Sequence, residues 1–167
     1  MRLVNRTFEE LQIGDKAELR RLITEDDLYV FAQTSGNYNP LSLPNQDVDG
    51  DGEPENMAPT MFVASIVSAV VGNILPGPGA QFKDFQFESH GRAHPGEEML
   101  IEVEVIEKKE NNIVSINLSV KRSSDNELVL DGKADVIAPT VKYERDKLEV
   151  PGLLVQRHRH FEELLQR

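Results

Sequence analysis

The sequence predicts an α+β domain in which an antiparallel sheet wraps around one long central helix. Three observations lead there. Residues 59–71 are apolar or small on nearly every helical face, so that helix must be enclosed. Three alternating runs, 100–106, 113–120 and 128–137, are separated by short turn-forming segments and read as an antiparallel meander. The chain has 167 residues, 39% of them hydrophobic, which fills one modest core and not two. A sheet curled over a single helix buries both apolar surfaces together.

The elements follow in order. Phe8 to Asp15 is an entry segment ending in a turn, and Lys16 to Ile23 forms a strand. Thr24-Glu25-Asp26-Asp27 starts a helix: Thr24 caps, Asp27 completes a capping box, and the acidic residues favour the positive end of the helix dipole. Leu28, Phe31 and Ala32 form its apolar face, and Gly36 stops it. Residues 37–57 are polar and rich in Pro, Gly, Asp and Asn, an excursion longer than most loops. The central helix begins at Pro59 and ends at Pro76-Gly77-Pro78-Gly79. Phe82 to Phe87 is a further strand leading into the meander, whose turns are Glu110-Asn111-Asn112 and Ser123-Ser124-Asp125-Asn126. Residues 1–140 make the domain. Residues 141–167 make a linker, irregular over Lys142–Pro151, and a short amphipathic helix over Leu153–Leu165.

Composition narrows the function. The balance of 18 basic against 29 acidic residues gives a net charge of -11. That field repels nucleic acid and anionic membranes, so neither is expected as a partner. The absence of cysteine excludes disulfides, thiolate nucleophiles and cysteine metal sites. Met1 to Arg6 lacks the apolar core of a secretory signal, and the apolar stretch 58–75 is interrupted by Ser65, Ser68, Gly72 and Asn73 and short for a membrane span. A soluble, cytoplasmic protein is expected. An open sheet leaves edges and an uncovered flank, so a homodimer is expected too.

Several separate motifs now fall in one order: Phe8-(x)2-Leu11-(x)2-Gly14-Asp15, the Thr24–Asp27 helix start, and Phe31-Ala32-(x)2-Ser35-Gly36-Asn37-(x)-Asn39-Pro40-Leu41. The apolar helix with Leu75 to Gly79 after it and the closing Gly132 to Pro139 complete the set. Over roughly residues 5–140 the chain resembles the MaoC-like (R)-specific enoyl-CoA hydratases. The resemblance implies the hot-dog fold, dimers, acyl-CoA or enoyl-CoA thioester substrates, addition of water across the 2,3-double bond, and no cofactor. It is nearest to the subgroup in which this domain precedes a phosphate acetyl/butyryltransferase, which makes an acyltransferase domain a further candidate partner.

The chain departs from the family where chemistry is done. The family has an aspartate after Ser-Gly and a histidine five positions on; here these are Asn37 and Ser42. Hydration needs a base to take a water proton and an acid to deliver one to the α-carbon, a contribution of about 10²–10⁴-fold. An amide accepts no proton usefully, and a hydroxyl is a poor base. The family's His-Gly at the central helix start is Pro59-Thr60, which keeps a backbone N–H for the thioester carbonyl but narrows the approach. Ser68 matches a family serine facing the acyl site, and the resemblance puts Asn39, Thr60 and Ser68 at substrate-binding positions.

Three functions follow: a thioester-binding domain with hydratase activity lost or strongly reduced; an active hydratase using another acid or base such as His90, His94 or Asp26; and a dimerisation or docking module for a phosphate acyltransferase. Other readings stand beside these. Asn37 and Asn39 suit side chains that cap loop turns, and Ser68 suits a serine bonded to its own helix. Arg92, Lys83 and Lys108-Lys109 are either contacts for CoA phosphates or solubilising charges. Asp47-Val48-Asp49-Gly50-Asp51-Gly52 fits the first half of a calcium loop, but Ala58 stands where the closing glutamate belongs, so a flexible acidic loop is expected and no metal is assigned.

Overall fold

The computed structural model describes residues 2–147. Its elements are β1 (Arg2–Val4), β2 (Lys16–Leu22), α1 (Glu25–Ser35), a 3-10 turn (Pro40–Ser42), α2 (Thr60–Asn73), β3 (Gln81–Ser89), β4 (Glu98–Lys108), β5 (Ile113–Arg122), β6 (Leu128–Ile137) and β7 (Glu144–Asp146). Strands β2-β4-β5-β6-β3 form one antiparallel sheet, and β1 pairs with β7 in a second. The helix N-terminus forms as its residues dictate: Thr24 Oγ1 accepts from the Asp27 N–H, and Asp27 accepts from the Thr24 N–H at 2.9 Å. Gly36 closes α1 at φ +73°, and its N–H donates to the Ala32 carbonyl.

α2 packs over β4, with β2 and β5 beside it. Phe62, Val63, Ile66, Val67, Val70 and Val71 face the alternating Met99, Ile101, Val103 and Val105 of β4 and Val114, Ile116 and Val120 of β5. The central helix is not enclosed on every face, contrary to expectation. Met61, Ser65 and Ser68 form a stripe open to solvent. The sheet covers one side of α2 and α1 sets Phe31 edge-on against Phe62, ring centroids 5.7 Å apart, which among the described residues leaves that stripe uncovered.

Two further differences concern strands. Phe82–Phe87 does form a strand, but β3 lies on the far side of β6, at the sheet edge. The segment 142–151 is not irregular throughout: β7 pairs with β1, residue for residue from Arg2↔Asp146 to Val4↔Glu144. Asn5, 1% exposed, anchors that pair. Its Nδ2 donates to the Pro78 and Val141 carbonyls at 3.0 and 2.9 Å, and its Oδ1 accepts from the Tyr143 N–H at 2.9 Å. The helix expected over Leu153–Leu165 lies outside the described residues.

Candidate functional site

The loop after α1 is built from side chains that hold their own backbone. Ser35 Oγ accepts from the Asn37 N–H at 3.2 Å; Asn37 Oδ1 accepts from the Asn39 N–H at 3.2 Å; Asn39 Oδ1 accepts from the Leu41 N–H at 3.2 Å. Each bond closes a small turn, and together they deliver the chain into the 3-10 turn that carries Ser42. Asn37 and Asn39 are exposed, whereas Ser42 is buried. The Met57 N–H donates to the Leu41 carbonyl and the Ala58 N–H to the Ala93 carbonyl. The loop, the approach to α2 and the β3–β4 connection are thereby strung together at the N-terminal end of α2.

Thr60 begins α2. Pro59 precedes it, no acidic residue stands in the first turn, and among the described residues no side chain caps it, so the positive end of the helix dipole is uncompensated there. Thr60 lines a cavity of ≈ 250 Å³ with Ala58, Val63, Ser89, His90, Arg92 and Val129. His90, an exposed residue of that lining, places its Nε2 2.7 Å from Oδ1 of Asp131, which stands outside the lining. Arg122 holds the wall of this cavity. It donates to the Arg92 carbonyl at 3.0 Å and pairs with Glu97, Asp125 and Glu127. The Glu127 N–H and then the Arg122 guanidinium hold the Asp125 carboxyl below the usual carboxylate range.

Ser68 opens elsewhere. With Met61, Ala64, Ser65, Phe82 and Phe85 it lines an apolar groove of ≈ 220 Å³ between α2 and β3. Its hydroxyl donates to the Ser65 carbonyl at 2.6 Å, within its own helix. Asn37, Asn39 and Ser42 line neither hollow. The single chain thus brings Thr60 and His90 together, sets Ser68 apart, and keeps the Asn37–Ser42 loop beside the helix start.

The remaining candidates divide clearly. Asp26 lies in a third hollow, between α1 and α2, with Phe31, Phe62 and Ser65. The His94 N–H donates to Glu97. Lys108 is held structurally: its Nζ donates to the Phe8 and Leu11 carbonyls and sits 4.4 Å above the Phe8 ring centroid. Lys109 pairs with Asp135. Arg92 is exposed at the cavity rim. The carboxylates of Asp47, Asp49 and Glu55 converge within 4.8 Å, but they accept hydrogen bonds from N–H groups of the same loop, and Ala58 donates to Ala93 instead of closing the loop. Asp131 escaped the sequence reading because its approach to His90 depends on the β3–β6 register, which no local pattern encodes.

No family model matches the chain. The 3-hydroxybutyryl-CoA dehydratase of Methylorubrum extorquens is 31% identical over 141 residues, 84% of this chain and 88% of the relative. The unliganded (R)-hydratase PhaJ1 of Pseudomonas aeruginosa superposes with a TM-score of 0.85 at 30% identity, over 93% of this chain and 99% of that one. The (R)-hydratase of Aeromonas caviae involved in PHA biosynthesis gives 0.70 at 27% identity, over 78% and 99%.

Proposed function

From the premise that the chain belongs to the MaoC-like (R)-specific enoyl-CoA hydratase family and has its hot-dog fold, we propose that it binds acyl- or enoyl-CoA thioesters and has lost most of the hydratase activity. The observation that carries this is the pair Asn37 and Ser42 in an otherwise retained loop. Asn37 Oδ1 is spent on the Asn39 N–H, and Ser42 is buried in a 3-10 turn. Neither side chain takes a proton from water at neutral pH. The binding frame is kept better than the chemistry. Thr60 presents a helix N-terminus to a thioester carbonyl, Ser68 opens on an apolar groove suited to an acyl chain, and Arg92 offers a local cation to a phosphate in an otherwise acidic protein.

The same reading includes a homodimer. β3 is an edge strand exposed on both faces along most of its length, and Phe82 and Phe85, 37% and 48% exposed, stand beside the open stripe of α2. A second copy laid along β3 would satisfy the free strand edge and cover that stripe. The docking-module reading rests on the tail from Leu153, outside the described residues.

The test is to titrate the protein with crotonyl-CoA and with CoA while following its melting temperature, and to follow loss of the enoyl absorbance in parallel. Crotonyl-CoA raises the melting temperature while hydration stays far below that of an (R)-hydratase assayed beside it. No shift with either compound would remove the binding reading.

A further inference from the structure

We propose that the hydration activity this chain retains passes through His90, oriented by Asp131, in the cavity at the N-terminus of α2. The proposal rests on the thioester-binding reading and deepens it. The family's carboxylate–imidazole pair is absent from the loop after α1, yet a carboxylate and an imidazole meet 2.7 Å apart at the surface beside this cavity: His90, directly after β3, lines it, and Asp131 of β6 holds the imidazole from outside the lining. The Asp131 carboxylate can only accept, so the contact fixes the proton on Nε2 and leaves the Nδ1 lone pair as the proton acceptor. Among the described residues Nδ1 has no partner. A carboxylate that holds an imidazole in one tautomer and steadies the imidazolium is the arrangement by which a histidine becomes an effective base.

The rest of the cavity suits the reaction. Thr60, at the positive end of a 14-residue helix, lines the same wall. That end is where a thioester carbonyl gains negative charge as water adds. Ser89 adds a hydroxyl, Val63 and Val129 supply apolar wall, and Arg122 anchors the Arg92 carbonyl behind it. In the step, Nδ1 takes a proton from water as the water oxygen bonds to C3. The C2–C3 π pair moves to C2 and delocalises onto the thioester oxygen. The imidazolium then returns the proton to C2. Water is added, the base is regenerated, and nothing is oxidised. The reverse sequence is the dehydration of a 3-hydroxyacyl thioester.

The experiment uses the full chain at high concentration with crotonyl-CoA, comparing wild type with His90→Gln, Asp131→Asn and His94→Gln, the last outside the cavity. Melting temperature with and without crotonyl-CoA reports folding and binding for every variant. The expected result is slow wild-type hydration above the uncatalysed rate and at least a 100-fold loss of it in His90→Gln. Asp131→Asn falls by a smaller factor, with kcat reduced and KM unchanged, and His94→Gln stays at the wild-type rate. In each variant crotonyl-CoA still raises the melting temperature. Wild-type hydration at the uncatalysed rate, or undiminished hydration in His90→Gln, overturns the proposal while an intact thermal shift leaves thioester binding standing. Absence of the thermal shift in wild type defeats the binding reading itself.

Discussion

Gly132 on β6 lies directly across the ladder from Phe87 on β3, and a Cβ at Gly132 would stand 2.7 Å from Phe87 Cα and 2.1 Å from the Gln86 carbonyl oxygen. The edge strand can approach its neighbour only because this position has no side chain. A register shift at Lys83 resets the alternation, so that Phe82, Phe85 and Phe87 line one face, with ring centroids 6.0 and 5.7 Å apart along the row. Gly132→Ala forces the backbone of β3 outward. It should cost about 1–3 kcal/mol in urea unfolding, the range for overpacking a close contact, and should weaken self-association as well.

Phe85 tests the dimer directly. Replacing it with glutamate puts a charge into an apolar groove between α2 and β3, against the surface a second copy would cover. Sedimentation velocity should show a dimer for wild type and a monomer for Phe85→Glu, with the melting temperature of the variant lowered. An unchanged sedimentation coefficient would move the interface elsewhere.

Asn5 joins three segments that are distant in sequence. Asn5→Ala leaves the Pro78 and Val141 carbonyls and the Tyr143 N–H without their side-chain partner in a buried setting. The cost should be about 2–4 kcal/mol, several unsatisfied groups together, and β7 should lose amide-exchange protection before the main sheet does. A loss under 1 kcal/mol would mean that water replaces the asparagine freely.

Asp135 gives a pH signature. The Ser115 hydroxyl, at 2.6 Å, and then the Lys109 ammonium hold its carboxyl below the usual range. A carboxyl depressed in the folded state contributes stability that is complete above its unfolded value, about 3.9, and is lost as pH falls through the folded value. Ser115→Ala should therefore cost about 1.5–3 kcal/mol at pH 7 and progressively less as pH falls below about 4. Urea unfolding at pH 7 and pH 3 checks both the size and the sign.

Much of the fold was legible because it is written in local periods and caps. The alternation of Met99, Ile101, Val103 and Val105 places β4 against the helix, and Thr24 with Asp27 marks the start of α1. The β1–β7 pair left no such trace. Each strand is three residues long and almost wholly exposed, and it forms because Asn5 holds its ends together. The position of β3 was likewise a matter of pairing partner, and the close approach to β6 that Gly132 permits is not written in β3's own sequence. At the site, the family pattern pointed to Asn37, Ser42, Thr60 and Ser68. It could not show that Asn37 and Asn39 are occupied with backbone N–H groups, nor that Asp131 meets His90. The two asparagine bonds are local turns, which the reading of Asn37 and Asn39 as turn-capping residues does give; the His90–Asp131 meeting arises from a contact between elements, which sequence spacing does not record.

The most direct measurement compares crotonyl-CoA hydration by wild type and by the double variant Asn37→Asp/Ser42→His under identical conditions. Restoring a carboxylate and an imidazole to the loop should raise kcat/KM by about 10²–10⁴-fold, with crotonyl-CoA affinity little changed. Wild-type turnover equal to that of an ordinary (R)-hydratase, with no gain in the double variant, would contradict the account.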